Sequence, residues 1–266
     1  MTTSHDAPEA PGIAGVTGIY LEGAPRPELQ AHFQSVWTSI LPDQHTGDIA
    51  VVPDGCVDIL WRAGRLLVVG PDLVAARPDL EPGAHVLGAR FQPGAARHWL
   101  GLPLSEIVGQ QIELADVWGV RARAFVGRME EAQAFGKQVA VFQEQLMALP
   151  ELSGTPDAGA SDIFRLAAVA TPAAEEGRVA ERMCAHLDIS KRTLLRYCRD
   201  HFGYGPKTLE RILRFQRFLS LAGKDHGAGL ATLAADTGYA DQAHLAREVR
   251  ALCGMTASAL LNQVRH

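Results

Sequence analysis

Over 266 residues, 47% hydrophobic and 21% charged side chains allow a buried core and exclude a chain disordered throughout. No apolar run nears the roughly 20 residues of a membrane span, residues 1–15 lack the pattern of a secretory leader, and four scattered cysteines without CxxC spacing exclude a disulfide scaffold. The net charge of −5 is unevenly spread: residues 1–162 carry 10 Lys+Arg against 20 Asp+Glu, and residues 163–266 carry 15 against 10. A reduced, cytoplasmic protein of two units is expected, the second suited to a polyanionic partner.

In chain order, residues 1–15, rich in Pro, Gly, Ala and polar groups, read as a flexible tail. Short apolar runs follow at 49–52, 56–61, 66–69 and 85–91. They are broken by Pro53-Asp54-Gly55, Ala63-Gly64-Arg65 and Gly70-Pro71-Asp72. Runs of strand length so punctuated predict hairpins in a compact sheet or barrel. Residues 28–37 form the one helix-like stretch there. Residues 95–100 and 104–108 predict short helices, and 120–149 one or two long ones, with Gly127 and Gly136 as points of interruption. The Pro-, Gly- and acid-rich text of 150–162 reads as a linker, and beyond it the pattern is helical. The fold class expected is α+β: an N-terminal β-rich unit over 16–149 with trailing helices, then an all-α unit over 163–266.

Within that second unit, two stretches repeat the order helix, short turn, longer helix, Gly. In the first, residues 179–185 support, with Met183 inward. His186 to Ile189 turn, with Asp188 suited to the left-handed region, and Ser190 stands at an N-cap. Over 191–202, Leu194, Tyr197, Cys198 and Phe202 make an apolar face, and Arg192, Arg196 and Arg199 fall opposite. An apolar back that holds the helix and a guanidinium stripe in front suit a helix reading the major groove. A solvated basic face is the plainer account of such a stripe. However, eight Lys+Arg against two acids, Asp200 and Glu210, between Ser190 and Arg217 favour nucleic acid. Gly203 and Pro206 end one helix and begin another, which carries Arg211, Arg214 and Arg217. Arg211 and Arg214 are candidates for phosphate contacts. In the second repeat, Leu230, Leu233 and Ala234 support, Thr237-Gly238-Tyr239 turn, and Asp241 caps residues 242–253. Leu245, Val249 and Leu252 face inward, and Gln242, His244 and Arg247 face outward.

The text Ile189-Ser190-Lys191-Arg192-Thr193-Leu194-Leu195-Arg196, then Gly203-Tyr204-Gly205-Pro206-Lys207, and above all residues 233–247 (LAADTGYADQAHLAR) resemble the double helix-turn-helix domain of AraC/XylS-type bacterial transcription regulators. The resemblance covers about the last hundred residues. It implies two recognition helices on a rigid linker helix, entering successive major grooves. By that likeness the DNA-binding residues are Lys191, Arg192, Leu195, Arg196 and Arg199, then Gln242, Ala243, His244 and Arg247. Ala257 stands near a position where the family usually has Pro, which loosens the start of the last helix. Double-stranded DNA is the partner implied, with RNA polymerase if the protein activates, and a homodimer is compatible.

Residues 53–59 and 88–95 resemble a less characterised N-terminal domain of some such regulators, which implies an effector-binding or oligomerising module. A small cupin-like barrel is suggested by analogy, but the HxH metal signature is absent and His32, His45, His85 and His98 are scattered, so no metal or cofactor is expected. Asp58 and Arg90, charged within apolar strand-like runs, are the candidates for ligand binding. Pairing with each other, or a place on a solvated strand face, is the plainer and favoured account. Cys56 stands alone, which argues against the zinc-assisted methyl-accepting cysteine known beside AraC-type domains. No catalytic fingerprint occurs, and a non-enzymatic, effector-controlled regulator is expected. The rival is an enzyme or ligand-binding protein whose helical unit docks other proteins.

Overall fold

Alternation of apolar and polar groups, cut by turn residues, builds a sheet in the first half of the chain. The computed structural model describes residues 12–169 and 178–265; of the tail expected over 1–15, all but the last four residues lie outside them. The strands are β1 (Gly12–Ile13), β2 (Ile19–Gly23), β3 (Phe33–Ile40), β4 (Ile49–Ala50), β5 (Asp58–Arg62), β6 (Arg65–Val69), β7 (His85–Phe91) and β8 (Gln111–Glu113). Six of them form one antiparallel sheet in the order β2-β3-β7-β5-β6-β8, while β1 pairs in parallel with β4. The sheet is open, with β2 and β8 at its edges, and is not the closed barrel weighed from the sequence. The β5–β6 hairpin turns through Ala63 and Gly64, both at positive φ, which matches the twist of the flanking strands.

Residues 28–37 are not a helix. One 3-10 turn, Pro27–Leu29, precedes β3. Leu29, Phe33 and Val36 are buried at helical spacing because a bulge between Phe33 and Ser35 shifts the strand's alternation by one residue. Pairing on both sides, to β2 and β7, then fixes the strand.

Side-chain alternation gives the sheet two different faces. Ile59, Trp61, Leu66, Val68, Leu87, Ala89 and Phe91 pack in a core with α1 (Ala96–Leu100), α2 (Leu114–Trp118), α3 (Val120–Glu131) and α4 (Phe135–Met147). The break between the two long helices falls at Ala132 to Ala134; Gly127 lies inside α3 and Gly136 in the first turn of α4. Within this core Trp118 Nε1 donates to the Trp99 carbonyl at 2.9 Å, and Trp99 Nε1 to His32 Nδ1 at 3.0 Å. The opposite face carries Asp58, Leu60 and Arg62 of β5, Trp37 and Ser39 of β3, and Val86 and Arg90 of β7. Trp37 packs against Gly88, where a Cβ would meet the indole at 2.3 Å.

The second half is helical: α5 (Ala158–Ala168), α6 (Val179–Leu187), α7 (Lys191–Phe202), α8 (Pro206–Lys224), α9 (Leu230–Asp236), α10 (Gln242–Cys253) and α11 (Ala257–Arg265). Residues 150–162 hold a 3-10 turn, Pro150–Ser153, and the start of α5, capped by the Asp157 carboxylate. Helix α5 buries Ala160, Ile163 and Ala167 in the helical core beside Phe215 and Phe218 of α8. Local chemistry sets the helix ends. Asp188 closes α6 at φ 52°, ψ 47°, the Ser190 hydroxyl accepts from Thr193 N, and Gly203 ends α7 at φ 84°. Asp241 caps α10 through His244 N, and Gly254 ends it at φ 75°. Ahead of α11, where Ala257 replaces the expected Pro, the Thr256 hydroxyl accepts from Ala259 N.

Candidate nucleic-acid interface and ligand cavity

Helix α7 is amphipathic for a stated reason: Leu194, Cys198 and Phe202 are 0–2% exposed and anchor it, leaving Lys191, Arg192, Leu195, Arg196 and Arg199 exposed. At 100° per residue, Arg192, Arg196 and Arg199 fall within an arc of about 60°, spread over ~10 Å of axis. That stripe presents three guanidinium forks along one side. Lys191 is tied to Glu181 at 3.0 Å, an exposed pair that contributes little and yields readily to phosphate. Leu195, 39% exposed, offers an apolar contact of the kind a thymine methyl accepts.

On α10, Leu245, Val249 and Leu252 are buried, while Gln242, Ala243 and Arg247 are exposed. His244 is only half-exposed. Its ring lies edge-on to Tyr239, with centroids 5.3 Å apart, and its Nδ1 accepts from Ala240 N at 3.4 Å. It is thus turned further inward than periodicity implies.

The arginines of α8 do not extend the stripe. Arg211 Nε donates to Glu248 of α10 at 2.5 Å, and Arg214 pairs with Glu210 at 2.9 Å, both side chains 6% exposed. Arg214 also sits 5.6 Å from the centre of the Tyr239 ring. Arg217 is half-buried, and burial lowers its pKa. Arg211 and Arg214 therefore do not fit the phosphate role expected from sequence. They bind α8 to the turn and recognition helix of the second repeat, because the second repeat covers the side on which they stand.

The N-terminal unit touches the C-terminal ends of both recognition helices. Gly203, which ends α7, packs so closely on Pro71, Leu104 and Val108 that a Cβ would meet Pro71 at 2.8 Å. The α10 carbonyl of Leu252 accepts from Ala75 N at 2.6 Å. Between these contacts, Gln216 of α8 donates to the Pro53 carbonyl at 2.8 Å.

The loops that make those contacts also wall a cavity of about 280 Å³ on the non-helical face of the sheet. Its body is apolar, with Ile49, Val51, Leu60, Val69, Leu80 and Val86, and Gln216 reaches it from α8. Asp54, Asp58, Asp72 and Arg90 supply charge, and Arg62 stands two alternations along β5 from Asp58. Asp58 and Arg90 pair with each other through two contacts of 3.2 Å rather than standing on a solvated face, and both line the cavity. Sequence reading passed over Asp54, which meets Arg90 at 2.8 Å, and Asp72, although both lie in turn motifs it had singled out. Against the effect of burial, Asp58 and Asp54 hold the Arg90 guanidinium charged. Burial pushes the Asp58 carboxyl up and Arg90 opposes it. Burial, with the Asp54 charge next, raises the Cys56 thiol well above its ordinary value, leaving a poor nucleophile.

Asp72 differs from the other two carboxylates in having no cation beside it among the described residues. Burial, then the charges of Asp54 and Asp58, push it up to about 6. A carboxylate whose folded pKa lies above its unfolded value of about 3.9 favours folding only while protonated. Its contribution is lost as pH rises from about 4 through about 6. Asp72→Asn is therefore expected to stabilise the unliganded protein at pH 7 by about 1 kcal/mol, after discounting for partial exposure. Urea melts of both proteins at about pH 4 and about pH 7.5 check this. Equal differences at the two pH values would contradict it.

Residues 183–263 match the family described as helix-turn-helix domain, and residues 21–113 match a domain of unknown function (DUF6597). No curated protein matches the chain in sequence. Among solved structures, an apo ToxT variant from Vibrio cholerae aligns over 86% of this chain and 97% of its own, at 12% identity and a TM-score of 0.47. An unsaturated fatty acid-bound ToxT from the same organism aligns over 78% and 83%, at 14% identity and a TM-score of 0.43. These are loose likenesses. Among the described residues no helix is long and apolar enough to cross a membrane.

Proposed function

We propose that this chain, whose C-terminal unit is an AraC-type helix-turn-helix domain, is a one-component regulator of transcription that binds a specific DNA sequence under control of a small molecule held by its N-terminal unit. The observation that carries the DNA-binding reading is the sorting of arginines. Those of α7 are exposed in one stripe, whereas on α8 Arg211 is engaged by Glu248 of α10, and Arg214 by Glu210 of its own helix and by the Tyr239 ring. A rigid pair of recognition helices, each capped at its outward N-terminus, is the arrangement that spans two major grooves. Lys191, Arg192, Leu195, Arg196 and Arg199 with Gln242, Ala243, His244 and Arg247 are assigned to the DNA face. Effector control is supported by geometry: the turn bearing Asp54 meets α8, and the loop bearing Asp72 meets the ends of α7 and α10.

Arg196→Ala tests the assignment. A bidentate Arg–guanine pair contributes ~1–3 kcal/mol of discrimination, so affinity for a site selected from genomic DNA should fall about 5- to 150-fold, with selectivity relaxed at one or two base pairs. Unchanged affinity and an unchanged selected site would remove Arg196 from the interface. Loss of binding without change in base preference would make it a phosphate contact.

We also place the unit boundary before α5, whose buried face belongs to the helical core. Residues 155–266 alone are expected to fold and to bind the same site, more weakly than the full chain if the N-terminal unit pairs two copies. Circular dichroism of that fragment checks the boundary, and an unfolded spectrum at room temperature would refute it.

A further inference from the structure

We infer that the cavity takes a small, largely apolar molecule bearing a protonated amine, seated against Asp72 and the Asp54–Arg90–Asp58 cluster. This rests on the reading of the cavity as an effector site and names the chemistry of what enters it. The charged end holds three carboxylates against one guanidinium, and that guanidinium is already engaged by two of them. Among the described residues Asp72 has no cation beside it, and an incoming ammonium supplies one. The aromatic wall agrees: Tyr20 and Trp37, with ring centroids 5.8 Å apart, both line the cavity, and a cation is attracted to such ring faces.

Behind the turn that bears Asp54, Tyr204 is 6% exposed and its hydroxyl has no partner among the described residues. It lies against the same turn, 3.6 Å from the place of a Gly55 Cβ, so burial and the nearby Asp54 push its ionisation up. That hydroxyl lies behind the turn and outside the cavity's lining, whereas the Asp72 carboxylate lines the cavity uncompensated, as a site's carboxylate does when a cationic ligand completes it. The rest of the lining sets the ligand's body. Leu60, Val69 and Val86 are apolar, and 280 Å³ is at the small end of ligand sites. Arg62, roughly 13 Å along β5 from Asp58 at the usual rise per residue, leaves the amine only one favourable end.

The test uses the full chain and matched probes: hexylamine and phenethylamine against hexanoate, 3-phenylpropanoate and hexanol. Calorimetry and thermal melting should show saturable binding of an amine at millimolar concentration or below, with the acids and alcohol weaker. Asp72→Asn should weaken amine binding about tenfold or more, the loss of a hydrogen bond to a charged group, without lowering the melting temperature of the unliganded protein. Acids or alcohol bound as tightly as the amines, amine binding indifferent to Asp72→Asn, or no response to either amine would each overturn the inference. Binding to a selected DNA site, measured with the same probes, separates the two readings. If hexanoate rather than the amines changes DNA binding, effector control stands and the amine falls. If the amines bind through Asp72 but leave DNA binding unchanged, the ligand class stands and effector control falls.

Discussion

Arg214→Ala is expected to destabilise the C-terminal unit by ~3–5 kcal/mol, a large part of a small domain's total stability. An exposed i,i+4 ion pair on a helix contributes only about 0.3–0.5 kcal/mol, and burial is what separates the two cases. Arg214 and Glu210 are both 6% exposed, so removing the guanidinium strands a carboxylate inside the protein. The contact with the Tyr239 ring is lost as well, which loosens the turn of the second repeat from α8. Replacing both members with apolar groups, Arg214→Met with Glu210→Leu, should recover most of the stability, because no charge is then left buried. Denaturant melts decide the matter. A near-neutral Arg214→Ala that weakens DNA binding and flattens its salt dependence would return Arg214 to the phosphate role the sequence suggested.

Salt should weaken DNA binding steeply although the whole chain is acidic. With Arg211 and Arg214 engaged internally, the cations left on the DNA face are Lys191, Arg192, Arg196 and Arg199 with Arg247 of α10. With Arg196 reading a base, the other four are left to neutralise phosphates. Each contributes about −0.9 to the slope of log K against log[salt], giving a slope near −4. Between about 50 and about 200 mM salt, affinity should therefore fall about two orders of magnitude. The acidic N-terminal half does not cancel this, because at physiological ionic strength the Debye length is roughly 8 Å and the arginines act at contact. Fluorescence anisotropy on a selected site measures the slope. A flat response would favour the helical unit as a docking module for another protein.

What the sequence revealed was chiefly local chemistry. Asp188 in the left-handed region, the Ser190 and Asp241 caps and the glycines that end α7 and α10 are decided by neighbours within a few residues. Long-range arrangement hid the rest. The bulge in β3 gave a strand the spacing of a helix, and only pairing to two neighbours reveals it. The sequence put Arg211 and Arg214 on one helix as candidates for phosphate contacts but could not say that the second repeat covers their side. The cavity was legible as two charged residues, Asp58 and Arg90. Its other lining comes from several strands, two loops and α8, which only the folded chain brings together.

The most direct test of the central claim is a competition titration. The full chain, bound at physiological salt to a fragment selected from genomic DNA, is challenged with an unrelated duplex of equal length. A regulator reading bases through α7 and α10 should prefer the selected fragment at least about 10³-fold. Equal competition by the two duplexes would contradict sequence-specific recognition.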